Sequence, residues 1–382
     1  MLYPKIQSTK QTWSLASKFS PNTQFDFYES HPFLNSISLG ASFSRHRWEQ
    51  TGSNFSAIEG LKFAVDKLGI RQVRLDIRWN ECQKNPDNIQ LTTELLDYAF
   101  DTGLEVCLNL GPIKTFGWPE SHVPQWVLAR ITKTGKIPRK VDLQSQLGRL
   151  SLDYLGKLLD QLELRYGPDL GSKIHTWQIE NEVFTPFGEK IFKMQYDYLS
   201  RLIELIATKN PHPRILLNSA GRYQLRKIGH FFTQATSNLK IQPVIGLDYY
   251  YTINLLEKYP VLKRFDLLNL ARPWDWSVQD LIDIASSKGW GVEVTEAQFE
   301  PWHLADGPGN SLVDFQFMLL RLGQYFQPTK YAHTFQQPLL IRLWGVERFV
   351  SLILDQKDTP KHRRILHLIQ KINFSKNPDL NT

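Results

Sequence analysis

SKIHTWQIENE, residues 172–182, begins as a β-prone run and ends in Glu180-Asn181-Glu182, two carboxyls around an amide. On either side lie helical patterns, LQSQLGRLSLDYLGKLLDQLELRYG at 143–167 and KIFKMQYDYLSRLIELIATKN at 190–210. A short strand set between amphipathic helices is the repeating unit of a parallel sheet with helices packed outside it.

Outward from this segment the same alternation recurs. β-Prone runs stand at 36–43 (SISLGASF), 71–79 (RQVRLDIRW), 104–110 (LEVCLNL), 214–219 (RILLNS), 243–250 (PVIGLDYY), 290–297 (WGVEVTEA) and 338–345 (PLLIRLWG), making eight with 172–181. Further helical patterns lie between them, FSAIEGLKFAVDKLG at 55–69, TTELLDYAFDTG at 92–103 and SLVDFQFMLLRLGQYF at 311–326. Thr92 is placed to cap the second of these, and Gly69, Gly103 and Gly167 stand where a helix hands over to a left-handed residue. An open doubly wound sheet would announce itself by a glycine-rich phosphate turn after its first strand. Neither that turn nor a GxxxxGK[ST] loop is present. The pattern predicts the α/β class and a single-domain (β/α)8 TIM barrel over 34–373, preceded by a capping segment at 1–33 and followed by a tail at 374–382. A short helix, KHRRILHLIQKI, is expected to close the ring.

Composition narrows the classes of function. A chain of 382 residues with 42% hydrophobic and 22% charged positions buries a large core, which excludes global disorder. The formal charge of +7 would suit a polyanion, but the basic residues are interspersed with acids and read as a solvated surface, so no nucleic acid is expected as a partner. The densest stretch, Arg130, Lys133, Lys136, Arg139 and Lys140, reads as a loop excursion after the third strand. No apolar run reaches the length of a membrane span, and the N-terminal MLYPKIQSTKQTWSLASKFS lacks the apolar core of a secretory signal, so a cytoplasmic location is expected. Cys82 and Cys107 read as free thiols. His122 and His175 lack HxH or HExxH spacing and read as structural; no metal and no cofactor is expected. The 11 Trp and 14 Tyr are many for this length, and flat aromatic faces serve both cores and sugar-binding clefts.

Barrels of this kind carry their chemistry at the C-terminal ends of the strands. Here those ends read Trp177 to Glu182 on strand four, Asp248-Tyr249-Tyr250-Tyr251 on strand six, Thr295-Glu296 on strand seven and Trp344 on strand eight. Cleaving a glycosidic bond requires an acid for the leaving oxygen and a carboxylate for the oxocarbenium-like centre. Glu182 and Glu296, three βα units apart, answer that need across the barrel mouth. Strict alternation along strand seven puts Val292, Val294 and Glu296 on one face, and predicts Glu293 among the outer helices with a basic partner. Glu300 rivals Glu296, and Glu180, one layer deeper than Glu182, rivals it.

These residues carry a resemblance. The chain resembles, over residues 36–350, the clan A glycoside hydrolases, which are retaining (β/α)8 enzymes with an Asn-Glu pair after strand four and a Glu after strand seven. The resemblance implies Glu182 as acid/base, Asn181 on the sugar 2-hydroxyl and Glu296 as nucleophile. Val73-Arg74-Leu75 resembles the strand-two segment whose arginine orients the nucleophile, with Arg78 as a rival nearer the strand end. Gly246-Leu247-Asp248-Tyr249-Tyr250 is similar to the Gly-Leu-Asn-Tyr-Tyr of family 1, which implies that Tyr250 donates to the nucleophile, while Asp248 departs from the family's Asn. Gly111-Pro112, Gly117-Trp118-Pro119 and Val123-Pro124-Gln125-Trp126 resemble the third-strand region of β-galactosidase families. Leu343-Trp344-Gly345 is similar to the strand-eight segment whose Trp floors the −1 subsite, and Trp118 and Trp302 are candidates for outer subsites. The expected function is hydrolysis of a β-linked glycoside by double displacement, with a carbohydrate as partner. A catalytically silent carbohydrate-binding barrel and a transglycosylase are the alternatives.

Overall fold

The computed structural model describes residues 34, 37–117, 119–132, 139–185, 190–219, 221–249, 273–298, 315, 318, 319, 322 and 338–374. Eight strands, β1 (Ile37–Ser42), β2 (Gln72–Asp76), β3 (Glu105–Asn109), β4 (Ile174–Gln178), β5 (Arg214–Ser219), β6 (Gln242–Tyr249), β7 (Gly291–Gln298) and β8 (Leu339–Trp344), coincide with the eight predicted runs. All pair in parallel, and β1 joins both β2 and β8, so the sheet closes into a barrel. The expected capping segment at 1–33, and the tail beyond Phe374, lie outside the described residues.

The principal helices are α1 (Ala57–Leu68), α2 (Glu94–Asp101), α3 (Gln146–Tyr166), α4 (Tyr196–Ala207), α5 (Arg222–Ala235), α6 (Pro273–Lys288), α7 (Val346–Leu354) and α8 (Pro360–Phe374). Each lays an apolar stripe on the barrel. In α4 the stripe is Tyr198, Leu199, Leu202, Ile203 and Ile206. Burying each aliphatic side chain of such a stripe contributes at most about 1.5–3 kcal/mol. Between β7 and β8, Phe315, Met318, Leu319 and Leu322 are helical and buried at the i, i+3, i+4, i+7 spacing. Among the described residues no helix is long and apolar enough to cross a membrane.

Punctuation explains the boundaries. Ser56 caps α1 through a reciprocal capping box with Glu59, and Gly69 ends it at φ 66°. The predicted cap at Thr92 falls instead on Thr93, whose hydroxyl bonds the Asp97 side chain rather than a backbone amide. The pattern read as one helix from Lys190 begins only at Tyr196, because Lys193–Met194 first pairs with Lys140–Val141 as a two-residue ribbon. At the bottom of the barrel the Asn373 amide donates to the carbonyls of Leu39 and Leu68 and accepts from Leu39 N, so α8 closes the ring where β1 enters it.

One expectation fails in β7. Leu247 and Asp248 are consecutive on β6, yet their partners on β7 are Val294 and Glu296, and on the β8 side Ile341 and Leu343 face Val294 and Ala297. The strand therefore holds one extra residue, Thr295, a β-bulge that reverses the alternation. Glu293, Thr295 and Glu296 all turn into the barrel, and Val294 packs outside in the core. Glu293 does have basic partners, Arg214 at 2.8 Å and the Arg342 guanidinium, but all three meet inside the barrel rather than among the helices. Burial pushes the Glu293 carboxyl up, and the two arginines outweigh it and hold it down to about 2.

Candidate active site

The mouth of the barrel is organised around Arg74, which β2 points inward with none of its surface exposed. Its guanidinium donates to Glu296 Oε1 at 2.9 Å, Asn181 Oδ1 at 2.8 Å, Gln178 Oε1 at 2.5 Å, Thr295 O at 3.3 Å and Ser42 Oγ at 3.4 Å. One planar fork thus ties four strands and fixes the carboxylate of Glu296, itself 2% exposed. Arg78, the rival, belongs elsewhere: it donates to Asp76 at 2.8 Å and Ser44 Oγ at 3.1 Å.

The turn after β4 presents the second carboxyl. Glu180 and Glu182 both adopt left-handed backbone, with φ of 53° and 45°. Non-glycine residues hold that conformation at a cost of about 1 kcal/mol or more, and only where their surroundings enforce it. The enforcement is visible. Glu180, fully buried, accepts from Ile113 N at 3.2 Å, Lys114 N at 2.7 Å and the Tyr198 hydroxyl at 2.9 Å. Burial drives its carboxyl up to about 7 against those donors. Gly111 is needed here, since a Cβ would fall 2.0 Å from Lys114 O and 2.7 Å from Glu180 Cα. Glu182 is gripped at both ends of its residue, its N–H donating to Asn218 Oδ1 at 3.1 Å and its carbonyl accepting from Lys114 Nζ at 3.4 Å. Glu180 therefore braces the β3 loop, whereas Glu182, 5% exposed, lies within electrostatic reach of Asp248 at the mouth.

Asn181 links the two halves. Its Oδ1 accepts from Arg74, from Asn218 Nδ2 at 2.8 Å and from Gln178 Nε2 at 3.3 Å. Three donors on the oxygen fix the orientation of the amide. Asn218 Nδ2 also donates to both oxygens of Asp248, at 2.8 and 3.0 Å, and Thr295 Oγ1 to Asp248 Oδ1 at 2.6 Å. Trp344, half-buried at the end of β8, donates its indole N–H to Phe116 O at 3.0 Å, and the Arg47 guanidinium lies 4.1 Å from its ring centroid. Phe116 in turn stacks under Arg74, 4.2 Å from ring centroid to guanidinium carbon.

Of the predicted site residues, Arg74, Asn181 and Glu296 thus meet in one network, which reaches Glu182 through Asn218, and Trp344 stands beside it. Tyr250, Trp118, Trp302 and the rival Glu300 lie outside the described residues. Sequence reasoning missed Ser42, Gln178 and Asn218, whose only signal is a polar side chain at the inward, C-terminal end of an otherwise apolar strand. Strict alternation set Thr295 on the face opposite Glu296, whereas its hydroxyl meets Asp248 inside the barrel. His122 is buried, and burial, with Arg78 nearby, lowers its imidazole to about 3; His175 is lowered as well, first by burial and then by Arg214. Both cysteines are free, buried and raised by burial, which suits inert thiols.

No family model and no curated protein matches the chain. Solved structures do. A family 5 lichenase from Caldicellulosiruptor sp. F32 superposes with a TM-score of 0.53 at 13% identity, covering 93% of this chain and 96% of the lichenase. An intracellular xylanase from Thermoanaerobacterium saccharolyticum, solved with xylotriose, and xylanase B from Clostridium stercorarium F9 each give a TM-score of 0.51 at 15% identity, covering 82% of this chain and 87% of theirs. At such identities the likeness establishes the fold, which is the barrel of these glycoside hydrolases.

Proposed function

We propose that this chain is a retaining glycoside hydrolase acting on a β-linked glycan, with Glu296 as nucleophile and Glu182 as general acid/base. The observation that carries the proposal is the single buried network in which Arg74 holds Glu296 and Asn218 holds both Glu182 and Asp248. Glu296 attacks the anomeric carbon while Glu182 passes its proton to the departing glycosidic oxygen, forming a glycosyl ester on Glu296 and a free alcohol. Glu182, now ionised, takes a proton from water, whose oxygen displaces Glu296 from the same face that the alcohol left. Asn181 is positioned to donate to the sugar 2-hydroxyl, and Trp344 to offer an aromatic floor; Tyr250, Trp118 and Trp302 complete the proposed substrate contacts. Barrels of the same fold include an intracellular xylanase and a lichenase, which favours a β-glucan or xylan fragment as substrate.

The test is hydrolysis of aryl β-glycosides and soluble β-glucans, xylan, mannan and galactan by the native chain and by Glu296→Gln, with the anomer first released followed by NMR. Activity on one substrate with β product, reduced at least about a thousandfold in the variant, supports the assignment. Activity that survives Glu296→Gln removes Glu296 as nucleophile and brings Glu300 forward. Silence of the native chain across the panel favours a carbohydrate-binding barrel, and products longer than the substrate indicate transglycosylation.

A further inference from the structure

Asp248 stands directly beside Glu296 in the register of β6 and β7, and none of its surface is exposed. Its hydrogen-bond partners are neutral: the Asn218 amide, which reaches both oxygens, and the Thr295 hydroxyl. The charged groups that face it are Glu296 from β7, Glu182 from the turn after β4, and Arg74 from β2. Arg74 is the one cation among them, and its hydrogen bonds go to Glu296, Asn181, Gln178, Ser42 and Thr295 O. An ionised Asp248 would therefore set a second anion in one water-excluded layer against a guanidinium already paired with the first. We infer that Asp248 rests as a neutral carboxylic acid, a proton holder that leaves Glu296 the single anion facing Arg74.

The chemistry is consistent at each contact. A protonated carboxyl has nearly the shape of a carboxamide and, unlike a carboxylate, both donates and accepts. The 2.6 Å contact with Thr295 Oγ1 accommodates either direction of donation. Burial, followed by the nearby Glu296 and Glu182, pushes the carboxyl well above its ordinary value of 3.8. The consequence for catalysis rests on Glu296 being the nucleophile, since an uncompensated neighbouring charge would draw Arg74 away from it; the protonation state itself does not rest on that reading.

The experiment compares wild type with Asp248→Asn by urea unfolding from pH 4 to pH 8. Unfolded Asp ionises near 3.8 whereas the folded residue keeps its proton, so folding takes up one proton above that pH. Wild type should then lose stability relative to the variant, by a factor in the folding equilibrium approaching ten per pH unit, until the folded group ionises. Parallel curves, or a variant that falls behind as pH rises, would overturn the inference. Should the variant fail to fold, infrared spectra of wild type carrying carbonyl-labelled aspartate decide the matter alone. A labelled protonated-carboxyl band is expected at neutral pH, and its absence refutes the proposal. Neither readout uses glycoside turnover, so failure here is distinguishable from failure of the hydrolase assignment.

Discussion

Arg74 bears most directly on the role proposed for Glu296. A lysine at this position would keep the charge but replace a planar fork with a single point donor, unable to serve Glu296, Asn181 and Gln178 together. With Glu296 as the proposed nucleophile, Arg74→Lys is therefore expected to reduce kcat by about a hundredfold or more, with a smaller effect on KM, because the lost geometry would matter most as charge moves onto and off that carboxylate. Separate kcat and KM values on the substrate found in the panel check this, and an unchanged kcat would make Arg74 purely structural. Arg74, Asn181, Glu182, Glu296 and Trp344 stand out in the sequence because they form an ordered set, on strands two, four, seven and eight, that resembles the clan A pattern. Gln178, Asn218 and Ser42 are not, since a lone polar residue at a strand end serves as readily for a cap or a turn. Their role exists only once the barrel closes and brings Ser42 of β1 and Gln178 of β4 to the Arg74 guanidinium, and Asn218 of β5 to Gln178 and Asn181.

At the scale of an element, the bulge in β7 does what alternation forbids, sending Glu293, Thr295 and Glu296 to one side. The segment Val-Glu-Val-Thr-Glu carries no glycine or other mark of an inserted residue, so the period of two was the natural expectation and the reversal lies in the pairing with β6 and β8. The space for it comes from β6. Gly246, opposite Glu293, leaves room where an added Cβ would fall 2.8 Å from both Asn218 Cβ and Thr295 Cγ2. Gly246→Ala should thus destabilise the fold by about 1–3 kcal/mol through overpacking. It should also displace Asn218 and Thr295 from Asp248, so turnover should fall by more than the stability loss alone explains. Thermal unfolding together with kcat distinguishes the two effects, and an unchanged Tm would show that the neighbours yield freely. The eight strands and most helices, in contrast, are legible because period and punctuation agree along nearly the whole chain.

For the molecule as a whole, the barrel interior is layered by charge: a floor in which Glu293 joins Arg342 and Arg214, and a mouth in which Arg74 joins Glu296. The floor has a definite pH signature. With its folded value near 2 and an ordinary value of 4.5, Glu293 contributes stability that is fully present above pH 4.5 and is lost as pH falls toward 2, worth about 3 kcal/mol by linkage. His122 acts in the same sense. Its folded imidazole titrates near 3 rather than 6.5, so acidification through that window favours the unfolded chain. Glu180, raised to about 7, acts in the opposite sense, favouring the folded state at low pH and losing that contribution as pH climbs from 4.5 through 7. Between about pH 4.5 and 6.5 His122 and Glu180 oppose one another, which leaves the decline with rising pH expected of a protonated Asp248; below that range stability should fall steeply as pH drops, where Glu293 and His122 act together. Glu293→Gln isolates the floor. It leaves two arginines without their carboxylate and should cost about 3–5 kcal/mol at neutral pH. That deficit should shrink as pH approaches 2, because wild type then loses the same charge by protonation. Urea midpoints for both proteins between pH 2.5 and 7 provide the measurement; a deficit independent of pH would mean that the paired arginines, rather than the ionised Glu293, hold the barrel floor together.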